Sequence, residues 1–87
     1  MTSSEILISQ ALEMIQSISE DNSIPRNIRS TVDAVKNILI NENLSISRRT
    51  ANAISKIDDI SNNNNMSPHV RTKIWQLISI LEAIPLE

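Results

Sequence analysis

The chain repeats itself. Laying residues 6–40 over residues 48–82, a shift of 42, aligns 35 pairs. Eight are identical: Ala11/Ala53, Ile15/Ile57, Ile18/Ile60, Ser19/Ser61, Asn22/Asn64, Arg29/Arg71, Ile38/Ile80 and Leu39/Leu81. Others are conservative, among them Leu12/Ile54, Ile28/Val70, Val32/Ile74 and Val35/Leu77. A period of about 40 residues is the length of a two-helix unit. The repeat therefore predicts two αα-hairpins, about 4–41 and 44–85, in one domain of 87 residues.

Apolar spacing places four helices in those hairpins. Ile8, Ala11, Ile15 and Ile18 recur at three-four-three after Ser3 or Ser4, either of which can cap the first helix. Ile28, Val32, Val35 and Leu39 form the second stripe, after Pro25 and with Ser23 as a candidate cap. Ile46, Thr50, Ala53, Ile57 and Ile60 form the third, beginning near Ser45 and stopping at the run Asn62 to Asn65. Ser67 followed by Pro68 opens the fourth, and its stripe is Val70, Ile74, Leu77, Leu81 and Ile84. Alternating three-four spacing suits helices packed at about 20°. Short links make sequential helices antiparallel. The expected fold is all-α, an antiparallel up-and-down four-helix bundle. A helical solenoid is the competing architecture, but solenoids need at least about three units and capped ends.

Composition narrows the chemistry. With no glycine, the chain has no Gly-rich phosphate loop, and any position needing positive φ falls to asparagine. With no cysteine it has neither disulfides nor thiolate metal sites, and the cytoplasm is the expected compartment. The N-terminus lacks the basic region of a signal peptide, and no apolar run is long enough for a membrane span. A net charge of −2 does not point to nucleic acid or to an anionic membrane surface. One aromatic residue, Trp75, is too few for a base-stacking platform. No cofactor and no metal are expected, and no catalytic constellation stands out, so the chain reads as a non-enzyme.

The segment from Ser61 to Trp75 has the order SN-x-x-NM-x-x-H-x-RT-x-IW. With Ile24-Pro25-Arg26-Asn27-Ile28-Arg29 and the stretch Ala53 to Asn62, it resembles a small archaeal family known only as an uncharacterised protein family. The resemblance spans nearly the whole chain. It implies a compact four-helix bundle of the bromodomain-like up-and-down type and implies no activity. Asn63, Asn64 and Ser67 stand where the family leads one to expect an aspartate and prolines, which predicts a less rigid loop. No acetyl-lysine pocket is carried over, since the chain has no tyrosine.

Charged residues cluster at one end of such a bundle. Glu20, Asp21, Asp58 and Asp59 fall near the two hairpin turns, and Arg26, Arg29, Arg71 and Lys73 begin the helices that follow. Paired carboxylates there can hold Mg²⁺ or work as acid and base, but neutralisation by neighbouring cations is the expected outcome. Arg29 and Arg71 coincide in the repeat, so each is expected to bridge to Asp21 or to Asp58 and Asp59. His69, without partners of its own type, is expected to cap the loop or face solvent. The cations alternate with acids and form no basic stripe, which argues against nucleic-acid binding.

The repeat also fails in an informative way. Trp75 lies about 140° from Val70 on a helical wheel, off the core stripe, with Ile78 between them. Their counterparts in the second helix are Asp33 and Lys36. Leu7 and Met14 of the first helix likewise correspond to Arg49 and Lys56. Two explanations stand: the extra apolar residues close the bundle between its first and last helices, or they bury against another chain. The functional expectation is an interaction or assembly module, homo-oligomeric (a dimer) or bound to an unidentified protein, with Trp75, Ile78, Met14 and Leu7 as interface residues.

Overall fold

The computed structural model describes residues 2–62 and 66–85. Four helices form: α1 Ser3–Ser19, α2 Arg26–Leu39, α3 Ile46–Ser61 and α4 Pro68–Ala83. Among the described residues, none of these is long and apolar enough to cross a membrane.

Hydroxyls start three of the helices. Ser45 and Ser67 accept from the amides of Arg48 and Val70, satisfying N–H groups that have no partner within the helix. Pro68 follows at the first helical position. The cap of α1 is Thr2 rather than Ser3 or Ser4. Its hydroxyl accepts from the Glu5 amide at 3.1 Å, and the Glu5 carboxylate accepts from the Thr2 amide at 3.3 Å. Ser4 is buried instead, with its hydroxyl 3.5 Å from the Pro85 carbonyl. Ser23 does not cap α2, whose cap position is Pro25 with no side-chain bond.

The helices close into a ring. α1 packs on α2 and α4, and α3 packs on α2 and α4. Extents of 35 × 21 × 19 Å fit two helices along each short axis at spacings of about 8–10 Å. The core is the stripe pattern realised: Ala11, Ile15 and Ile18; Ile28, Val32, Val35 and Leu39; Ala53 and Ile57; Val70, Ile74, Leu77 and Leu81. Each fully buried large aliphatic contributes about 1.5–3 kcal/mol of transfer free energy. Ile24 in the first linker and Ile84 after α4 are buried as well, closing the ends. Ile8, Ile46 and Ile60, at the edges of their stripes, are half-buried.

The linkers obey a shorter period than the hairpins. Asp21 accepts from the Ser23 amide at 2.9 Å, and twenty residues on Asn41 accepts from the Asn43 amide at 3.0 Å. These side chains take the place of a backbone turn. No described residue has positive φ, so acidic and amide side chains replace glycine by bonding the backbone, not by entering the left-handed region. Arg29 Nε then donates to the Ile24 carbonyl at 3.0 Å, and Arg49 Nε to the Leu44 carbonyl at 2.8 Å. Both arginines sit four residues past their helix cap, reaching back to the residue before it. In this respect Arg29 pairs with Arg49. The departures at Asn63 and Asn64 lie outside the described residues.

Candidate interaction surface

The acidic end resolves into one compact node. The Asp21 carboxylate accepts from the Ser23 hydroxyl at 2.6 Å and amide at 2.9 Å through Oδ1. Its Oδ2 lies 3.1 Å from Lys73 Nζ and 3.3 Å from His69 Nε2. The two Ser23 bonds, then Lys73 and His69, hold the Asp21 carboxyl well below the usual carboxylate range. It remains an anion wherever the bundle is folded near neutral pH, which suits a clasp between the first linker and α4 better than proton transfer.

In that node Asp21 meets Lys73 and His69, while Arg29, expected to bridge to an acid, turns elsewhere. Among the described residues the two ion pairs are those of Asp21 with Lys73 and His69. Arg29 bonds a carbonyl. Arg71 places its guanidinium 5.9 Å from the centroid of the Trp75 ring. Asp58 and Asp59 are exposed on the last turn of α3, where the Asp58 carbonyl, not its carboxylate, accepts from Ser61. His69 is half-exposed and reaches Asp21, which links α4 to the first linker. Among the described residues, no three His, Cys, Asp or Glu side chains are grouped to hold a metal ion.

The four residues expected at an interface divide. Trp75 is 55% exposed, the most exposed large apolar side chain among the described residues. Leu7, Met14 and Ile78 are half-buried against the core. Met14 alone of these three also meets Trp75, in an open groove of about 530 Å³ lined by Met14, Thr72, Trp75, Gln76, Ser79 and Ile80. A second groove along α1, lined by Gln10, Glu13, Met14, Ser17 and Ile80, shares the Met14 and Ile80 floor. Ile78 and Ile80 lie about 160° apart on the α4 wheel, so Ile78 flanks the side away from that floor.

Extra apolar side chains thus do two jobs: Leu7, Met14 and Ile78 help close the bundle, while Trp75 stays outside it. Ile80 is the groove residue that the sequence does not single out as an interface position. It matches Ile38, and both are half-buried. Its wheel position, at the margin of the stripe, is the signal that finds it.

Trp75 does not take the role of its counterpart. Asp33 accepts from the Ser19 hydroxyl at 2.7 Å, tying α2 to α1. Ser61, the counterpart of Ser19, turns its hydroxyl back to the Asp58 carbonyl at 3.2 Å. A polar bond between helices in one hairpin becomes an exposed indole in the other.

Comparison with known proteins agrees with this architecture. The chain matches the uncharacterised protein family UPF0147 over residues 1–84. It is 47% identical over 85 residues to a UPF0147 protein of Methanosarcina mazei, covering 98% of this chain and 90% of that one. It is 44% identical over 81 residues to a UPF0147 protein of Sulfurisphaera tokodaii, covering 92% and 90%. A crystal structure of a protein of unknown function, MMP1188, superposes with a TM-score of 0.85 at 42% identity, covering 92% of this chain and 91% of that one. With all four helices inside that match, and its four-helix ring shared with a solved structure, the chain belongs to the UPF0147 family.

Proposed function

We propose that this protein is a non-catalytic, cytoplasmic assembly module that buries the Trp75 face of α4 against another protein chain. The observation that supports this is the exposure of Trp75 beside the Met14 and Ile80 groove, at a position where the other hairpin carries Asp33. Tryptophan is enriched among the residues that dominate interface energetics. Burying it fully contributes about 2–3 kcal/mol, against about 0–1 kcal/mol for an exposed ion pair. The rim is polar, supplied by Thr72, Gln76 and Ser79. A nucleic-acid role finds less support, since Lys73 is engaged by Asp21 and Arg29 by a backbone carbonyl.

Light scattering over a range of concentrations, on wild type beside Trp75→Asp, tests the reading. The expected result is a wild-type oligomer and a folded monomeric variant. Two monomers that fold equally well would overturn it. The chain has no tyrosine or phenylalanine, so its intrinsic fluorescence reports Trp75 alone. The emission should shift to the blue as wild type is concentrated and stay that of a hydrated indole if no interface forms.

A further inference from the structure

Residues 74–81 of α4 carry no charge, with Arg71 before them and Glu82 after them. Lys73, the remaining nearby cation, is turned to Asp21. On the wheel, Arg71, Trp75, Ser79 and Glu82 fall within about 80° of one another, on the side away from the core stripe. Their spacing of four, four and three makes a second, outward seam on α4. Arg71 and Glu82 stand eleven residues apart, about 16 Å along the axis, with Trp75 and its groove between them.

This seam is complementary to itself in one orientation. When two α4 helices lie antiparallel about a two-fold axis between Gln76 and Leu77, Arg71 of each copy meets Glu82 of the other. The two indoles then flank the axis, beside Gln76 and Ser79. A parallel pairing instead sets Arg71 against Arg71 and Glu82 against Glu82, which is repulsive. A closed two-fold contact is also the commonest symmetry of soluble oligomers.

We infer that the groove is filled by Trp75 of a second copy, in an isologous dimer built on antiparallel α4 helices. Each indole rests over the Met14 and Ile80 floor of the other copy, and two Arg71 to Glu82 pairs close the rim. This rests on the assembly reading above and adds to it the partner and its orientation. Anchors near the centre and charges at the edge are the usual division of labour in an interface.

The test is sedimentation of the full chain as wild type, Arg71→Glu, Glu82→Arg and the double variant. Each single reversal creates two repulsive pairs and should raise the dimer dissociation constant about tenfold. The double variant should return to near the wild-type value, and so should an equimolar mixture of the two single variants. Both changes put a favourable charge at their end of α4, so the fold should be kept, as circular dichroism would verify. A wild-type dimer that dissociates with Trp75→Asp yet ignores both charge reversals would overturn the antiparallel arrangement while leaving assembly through Trp75 intact. A double variant as weak as the singles would overturn it too. A wild type monomeric at every concentration would remove both.

Discussion

The seam between α1 and α4 and the seam between α2 and α3 are counterparts under the repeat, yet their outer surfaces differ in kind. On the α2 and α3 side, Asp33, Lys36 and Lys56 are exposed and solvated, and Asp33 also binds Ser19 across to α1. The matching positions on α4 and α1 hold Trp75, Ile78 and Met14. The inward stripes of the two hairpins meanwhile stay alike, as Ile15 with Ile57 and Leu39 with Leu81 show. The bundle is therefore complete without an apolar outer face. Met14 and Ile78 still pack against the core, so the apolar area surplus to folding is that of Trp75.

The largest expected effects test the shared half of this comparison. Ile15→Ala and Ile57→Ala should each cost about 2–5 kcal/mol in denaturant unfolding, and about equally, because each leaves a cavity at an equivalent place in the core. A large inequality would mean that the hairpins differ in their packing as well as on their surfaces. Smaller effects probe the linkers and caps. Ser45→Ala and Ser67→Ala should each cost about 1 kcal/mol of stability by freeing an amide at a helix start. Arg29→Met and Arg49→Met should cost about 0.5–1.5 kcal/mol each and match one another, since both remove a bond to the carbonyl before the cap.

The Asp21 clasp should show as a pH effect. Its carboxyl is held below the usual range in the folded chain, so the unfolded chain binds more protons in acid. Its stabilising contribution is complete above the ordinary carboxylate pKa and is lost as pH falls through the lowered folded value. Asp21→Asn should reduce the melting temperature near neutral pH and flatten its decline toward acid. An unchanged acid limb would show that other carboxylates set it. The smallest expected effect is the most telling. In dilute, monomeric solution Trp75→Ser should change stability by no more than about 0.5 kcal/mol, as for a surface position. A cost like that of Ile57→Ala would return Trp75 to the bundle and end the distinction between the two faces.

Much of this is legible in the amino-acid sequence. Helical periodicity reports which side of each helix faces inward, because burial is decided by a local rotation of about 100° per residue. Val32, Val35, Leu77 and Leu81 are found that way. Cap assignment is legible where a hydroxyl precedes a clear stripe, as at Ser45 and Ser67. It fails at α1, where three consecutive hydroxyl residues compete and the Glu5 carboxylate selects Thr2. That Trp75 is a special position, whether for closing the bundle or for facing outward, follows from the break in the repeat. The groove around it does not, because Ile80 and Met14 come from different helices and only their packing sets them side by side.

Spacing along the chain is enough to set the number of helices, their inward faces and the positions where the two hairpins part company. Short-range geometry suffices to read all three. Which polar group each charge takes is settled only by packing. Lys73 and His69 meet Asp21 across 52 and 48 residues, and Arg29 turns to a carbonyl five residues back. A hydrogen bond is made or lost within a fraction of an ångström. Those distances exist only once the ring of helices has closed and brought the first linker against the start of α4.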